Sequence, residues 1–250
     1  FSRFHGVGDT NSPTQQYYRR VVEQWGALAR QQGNPLVYRG YSWNLAENLL
    51  PYTKVRIWGE ELPFYKEQGI LGLNVEGTKM WSVLAASDWV FMKLAWNTRQ
   101  DWRQLLREFC EHAYGAGADA MERYHLALIE RQHGAGQEAG SYHAFPLIYD
   151  DAWVRHALAL IDQAAAAAKT EPDRTRIGFS RHNVEALQLY LDYYRATQEF
   201  DFPAVQRRFD ALRAHWEKAY AQNSDLVANE APHYLNRFLA QFVAEGLKFS

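Results

Sequence analysis

The chain has 250 residues, 47% of them hydrophobic, a formal net charge of −2 and one cysteine. That is enough for one large domain or two smaller ones, each with its own core. The near-neutral charge and scattered basic residues argue against a nucleic-acid partner or an anionic membrane surface. Cys110 alone permits no internal disulfide and no cysteine-rich metal site, and it reads as a small core residue. No apolar run reaches the roughly 18–20 residues of a membrane span. The sequence begins at Phe1 without a signal peptide, so it assigns no compartment, and we expect an N-terminal segment to be absent from it.

Along the chain, Phe1–His5 has the pattern of a short strand running into Gly6-Val7-Gly8-Asp9. Ser12-Pro13 starts a helix, with Tyr18, Val21, Val22, Trp25 and Leu28 on one stripe and Gly33 as its stop. Asn34-Pro35 favours an extended entry into the strand Leu36–Trp43. Lys54–Trp58 is predicted as a third strand ending at Gly59-Glu60-Glu61, and Pro63 as the opening of a short helix closed by Gly69. Leu71–Val75 is predicted as a fourth strand, ending at Glu76-Gly77-Thr78.

From there the pattern is helical. Trp81 to Trp96 is apolar nearly all round and reads as a buried helix. Thr98 with Asp101 suggests a capping box for a helix carrying Trp102, Leu105, Phe109 and Ala113, which ends at Gly115. Met121, Tyr124 and Leu128 form the next stripe, ending at Gly134 and a glycine-rich loop. Three long stripes follow, carried by Val154, Leu158 and Ile161, by Val184, Leu187 and Leu191, and by Val205, Phe209 and Leu212. A last helix covers about 232–247. The expected fold is α/β then all-α, with half of a (β/α)8 TIM barrel over residues 1–97 and a helical bundle domain over 98–250.

Strands alternating with helices place polar groups at the strands' C-terminal ends, where α/β sheets build their sites. Glu76 follows a strand directly and has no obvious capping role. Asp9, Glu60 and Glu61 also follow strand patterns, but each has a structural alternative as a turn cap or as charge in a helix's first turn. Two carboxyl groups across a scissile bond are what glycosidic hydrolysis needs, one protonated and one ionised. The chain is also rich in aromatics, with 9 Trp, 15 Tyr and 13 Phe. Most belong in a core, yet an aromatic ring at a strand end also suits the C–H face of a sugar. Tyr38, Tyr41, Trp43 and Trp58 are the ones so placed. Arg39 either makes a structural ion pair or clamps a substrate carboxylate or sulfate.

Other chemistries find little support. Gly6-Val7-Gly8 and Gly115-Ala116-Gly117 each lack the third glycine of a dinucleotide fingerprint. None of the nine histidines forms a His-Glu-x-x-His motif; they read as core or surface residues, so neither a metal nor a cofactor is expected. No Gly-x-Ser-x-Gly elbow is present.

Three stretches carry a family resemblance. They are Phe64-Tyr65 through Gly69 to Leu71-Gly72-Leu73-Asn74-Val75-Glu76-Gly77, Leu94-Ala95-Trp96-Asn97 followed by Asp101, and Ala113-Tyr114-Gly115 with Met121 and Tyr124. In this order they resemble a bacterial glycoside-hydrolase-like family catalogued as a domain of unknown function (4838). That family is similar to the catalytic and C-terminal regions of α-glucuronidases. The resemblance implies that residues 1–97 are the C-terminal half of the barrel, with Glu76 delivered by its last strand and a helical domain behind it. It also implies a periplasmic or secreted protein. Asn97 lacks the proline of the family pattern, and the stretch from Tyr41 to Gly59 is short for a connection between barrel strands.

The leading expectation is therefore a glycoside hydrolase acting on an oligo- or polysaccharide, with acidic sugars as one option. Glu76 and Asp9 are its carboxyl candidates, and Tyr38, Arg39, Tyr41, Trp43, Trp58 and Glu60 its substrate-binding residues. The alternative is a non-catalytic carbohydrate-binding or scaffold protein on a degenerate barrel. Either needs the missing strands from an absent N-terminal segment or from another chain.

Overall fold

The structure is a computed structural model, which describes residues 4–41, 50–77, 80–136 and 141–224. Trp43, most of the Phe1–His5 segment and the helix expected near 232–247 lie outside them.

Helix α1 (Pro13–Gln32) starts where the sequence places it, with the Ser12 side chain accepting from the Gln15 amide and Pro13 in the first turn. Gly33 ends it in the left-handed region at φ 67°. Its buried side matches the predicted one only in part, with Tyr18 and Val22 on the core as expected. Val22, Gly26 and Ala29 face inward, whereas Trp25 and Leu28 are exposed. Strand β1 (Leu36–Tyr41) follows, then helix α2 (Val55–Glu67), strand β2 (Ile70–Glu76) and helix α3 (Trp81–Trp96).

The predicted strand at 54–58 is instead the start of α2. Val55, Trp58, Leu62 and Tyr65 recur at spacings of three and four, and all four are buried. Pro63 lies inside this helix rather than at its head. Gly59 does not stop it either; a Cβ there would lie 2.3 Å from Trp102 Cδ1, so this glycine admits the indole of the next segment. Helix α3 is also less buried than its composition suggests. Leu84, Val90 and Leu94 face the core, but Met92 and Trp96 stand out into solvent.

Strands β1 and β2 are parallel and joined through α2, one βαβ unit. Val37 pairs with Gly72, Arg39 with Asn74 and Tyr41 with Glu76. The register shifts between Leu36 and Val37, which leaves Leu71 outside the pairing and exposed. Tyr38, Leu73 and Val75 pack onto the core that the helices build. By strand alternation Val37, Arg39, Tyr41, Asn74 and Glu76 occupy the opposite face, where Val37 is 63% and Tyr41 52% exposed.

The remaining described elements are helical: α4 (Trp102–Tyr114), α5 (Ala118–His133), α6 (Phe145–Ile148), α7 (Asp151–Ala167), α8 (Glu171–Gln198) and α9 (Phe202–Gln222), with short 3-10 turns at Gly115–Gly117 and Ser141–Ala144. Asp101 itself caps α4, accepting from the Arg103 and Gln104 amides, in place of the expected Thr98–Asp101 box. Asp150, Thr170 and Asp201 cap α7, α8 and α9 in the same way. Helices α2 to α5 pack in succession, α5 then packs on α7, α7 on α8 and α8 on α9, and α8 also touches α3 and α4. One hydrophobic cluster runs from Phe4 to Ala219 without a seam at residue 97. Buried hydrogen bonds cross the same line: the Thr53 amide donates to Gln132 Oε1 at 3.0 Å, and Asn183 Nδ2 donates to the Ser82 carbonyl at 2.6 Å.

Candidate functional site

On the open face of the sheet, at its C-terminal end, four side chains converge. Arg39 Nη1 donates to Asn74 Oδ1 at 3.2 Å, and Arg39 Nη2 lies 3.4 Å from Glu76 Oε2. The same guanidinium sits 6.0 Å from the centre of the Tyr41 ring. The parallel register produces this grouping, because pairing Arg39 with Asn74 and Tyr41 with Glu76 puts all four on one surface. The result is a half-exposed carboxylate, a guanidinium with donors to spare, an amide and an aromatic ring. Such a set can hydrogen-bond sugar hydroxyls, hold an anionic group and stack on an apolar face.

Two of the predicted binding aromatics are not on that surface. Tyr38 points to the helical side, stacked on Tyr65 at 4.7 Å and edge-on to Trp58 at 6.4 Å. Trp58 is fully buried, packed against Phe91 at 5.0 Å. Its predicted place in a cleft depended on residues 54–58 being a strand. As part of α2, Trp58 turns inward. This core also holds a carboxyl group that the sequence placed at the helix surface. Glu61 is buried, accepting from Gln15 Nε2 at 3.2 Å and from the Tyr65 hydroxyl at 3.0 Å. Burial pushes its carboxyl above the ordinary glutamate range, against the opposing pull of Lys54. The helical period would have found it, since Glu61 shares a face with Trp58 and Tyr65.

Asp9 lies elsewhere, in the loop before α1. Its Oδ1 accepts from the Asn11 amide at 2.8 Å and its Oδ2 is 2.6 Å from His5 Nδ1. Burial works to raise the Asp9 carboxyl, but the Asn11 amide and His5 outweigh it and the net displacement is downward. Asp9 and Glu76 share none of these partners. Glu60, predicted to bind substrate, clasps the same loop: Oε2 accepts from the Gly8 amide at 3.2 Å, and Oε1 pairs with Arg56 at 2.8 Å. His133, at the end of α5, brings Nδ1 to 3.7 Å from Asp9 Oδ2. Burial and then Arg56 hold its imidazole below the usual histidine range. His5, Asp9 and His133 border a cavity of about 520 Å3 that also touches Asn11, Ser12 and Gly136. No sequence motif marks this cluster, because His133 reaches it only through the packing of α5.

Residues 4–126, just under half of the chain, match the model of a family described as Domain of unknown function (DUF4838). This segment runs from the loop that carries Asp9 into α5 and includes Arg39, Tyr41 and Glu76. No curated protein and no solved structure matches the chain. Among the described residues no helix is long and apolar enough to cross a membrane.

Proposed function

We propose that the chain is part of a glycoside-hydrolase-like carbohydrate-active protein in which Glu76 presents its carboxyl group to a sugar. The observation that carries this reading is the position of Glu76. It ends a parallel strand on the open face, beside Arg39, Asn74 and Tyr41. Parallel α/β sheets place their chemistry at this end. The resemblance to α-glucuronidase-like sequences supports an acidic sugar, for which Arg39 supplies a charge-assisted donor.

The fold supports the reading in a second way. Parallel sheets normally have both faces covered, yet the Val37–Tyr41 face is open among the described residues. Further strands, from a preceding segment of the protein or from another chain, would continue the two βα units into a (β/α)8 barrel. In a closed barrel the open face becomes the interior. Asp9, which pairs with His5 and the Asn11 amide, or a group on those further strands would be the second carboxyl of a hydrolytic pair. The alternative, a non-catalytic glycan-binding protein, is favoured by one feature: Glu76 already has a cationic partner in Arg39.

The test compares the parent with Glu76→Gln on a panel of neutral and uronic-acid-containing oligosaccharides, following turnover, binding and thermal unfolding. The near-isosteric amide keeps the fold and removes acid, base and nucleophile chemistry, so turnover falls about 10²–10⁴-fold. Unchanged turnover removes Glu76 from the chemistry. Binding without turnover in both forms establishes the binding-protein reading instead.

A further inference from the structure

We propose that His5, Asp9 and His133 form a binding site for a divalent transition-metal ion, zinc in first place. The proposal is independent of the glycan reading. Each of the three residues offers a ligand atom within 4.8 Å of the other two, and His5 Nδ1 and His133 Nδ1 lie 2.6 Å and 3.7 Å from Asp9 Oδ2. Two imidazoles and one carboxylate are a donor set that suits zinc and leaves a fourth position open.

The hydrogen bonds around the cluster point the same way. His5 Nε2 faces the Ala135 carbonyl at 3.1 Å, and a carbonyl can only accept, so Nε2 carries the ring proton. In the neutral ring Nδ1 is then a lone pair, and it lies 2.6 Å from a carboxylate oxygen, which is also an acceptor. That contact requires a second ring proton or a cation. Among the described residues the buried His133 Nδ1 has no hydrogen-bond partner, and it too is turned toward Asp9.

The supporting groups match those of a metal site. Histidine ligands usually donate their other N–H to a carbonyl or carboxylate, and carboxylate ligands are themselves hydrogen-bonded. Ala135 does the first for His5, and the Asn11 amide does the second for Asp9. Gln16 Nε2 donates to the Asp9 carbonyl at 2.7 Å and holds the loop. The nearby charges of Arg56 and Glu60 offset each other at 2.8 Å. Tetrahedral zinc with bonds near 2.0–2.1 Å separates its ligand atoms by about 3.3 Å. Binding therefore widens the His5–Asp9 contact by less than about 1 Å and draws His133 slightly inward. All three residues border the cavity described above, through which an ion would enter.

A second histidine pair shows the contrast. His182 and His215 approach with Glu185 nearby, but both nitrogens of His182 and Nε2 of His215 are engaged in hydrogen bonds. His182 Nε2 donates to Gln222 Oε1 at 3.1 Å, and the single N–H of His215 Nε2 is shared between the His182 carbonyl at 2.9 Å and His182 Nδ1 at 3.0 Å. Neutral rings satisfy that arrangement without an ion.

The experiment uses tag-free chain freed of metal by a chelator. It is titrated with Zn²⁺ by calorimetry and with Co²⁺ by visible absorption, with circular dichroism as the check on folding. One Zn²⁺ per chain and tetrahedral Co²⁺ bands are expected, along with a zinc-dependent rise in melting temperature. Asp9→Asn and His133→Gln should each weaken zinc binding by at least about tenfold, while His215→Ala leaves it unchanged. Failure of the parent to take up zinc overturns the proposal. So does binding that survives both Asp9→Asn and His133→Gln, or binding that is lost only in His215→Ala. If those variants do not fold, Co²⁺ titration of His215→Ala decides between the two groups of ligands found among the described residues: tetrahedral bands that persist belong to His5, Asp9 and His133, and bands lost in that variant overturn the proposal.

Discussion

Arg39 and Glu76 meet across the β1–β2 pair with 3.4 Å between Nη2 and Oε2, joining the middle of one strand to the end of the next. Both side chains are about half exposed or more, so solvent screens the attraction and the pair adds little to stability. Its importance lies in position, since it fixes where a carboxylate and a guanidinium stand on the open face.

Arg39→Ala should therefore change the free energy of unfolding by less than about 1 kcal/mol in urea titrations. If the open face binds acidic sugars, the same variant lowers affinity for a uronic-acid oligosaccharide about tenfold or more, the scale of one hydrogen bond to a charged group. A neutral oligosaccharide should lose less. A large loss of stability would make the pair structural, and equal losses for both ligands would remove Arg39 as the anion-recognising group.

Glu61 predicts a pH dependence. Its folded carboxyl is displaced upward by burial, while the unfolded chain returns to about 4.5. The native state therefore binds a proton that the unfolded state has released. Stability is fully present below the unfolded value and is lost as pH rises through the folded one. Glu61→Gln removes that proton linkage and leaves an amide able to meet Gln15 and Tyr65. The parent should lose stability relative to the variant above pH 4.5, with a slope of up to about 1.4 kcal/mol per pH unit. Urea midpoints from pH 4 to 8 measure this, and parallel curves would place Glu61 outside the linkage.

What the sequence could show followed from how local each signal was. The helices from Asp150 onward were legible because their caps and their three-and-four spacing lie within single segments. Strands β1 and β2 were legible through their flanking Asn34-Pro35 and Glu76-Gly77. Residues 54–58 were not, because five residues containing Val55, Ile57 and Trp58 satisfy a strand's alternation and a helix's period equally well. Only the continuation through Leu62 and Tyr65, with Pro63 tolerated inside, decides for the helix. Trp58 and Glu61 were misplaced together with that segment. Glu76, Arg39 and Tyr41 stand in the sequence as separate candidates at strand ends, and the parallel register is what brings them onto one surface. The His5–Asp9–His133 cluster was hidden because tertiary packing creates it; His5 meets Ala135 across 130 residues of chain.

The contrast between Trp58 and Tyr41 separates core from surface. Both aromatics flank predicted strand ends, yet the structure buries the first completely and leaves the second half exposed. Trp58→Ala removes an indole packed against Phe91 and Tyr38, leaving a void among Val55, Leu62 and their neighbours. A cost of about 3–5 kcal/mol follows, visible as a marked drop in the urea midpoint. Tyr41→Ala leaves no internal cavity, and its effect on unfolding stays within about 1 kcal/mol. Any change in glycan binding should then belong to Tyr41, measured at a temperature where both variants are folded. A stable Trp58→Ala that loses glycan affinity would reverse the assignment and put Trp58 back in a cleft.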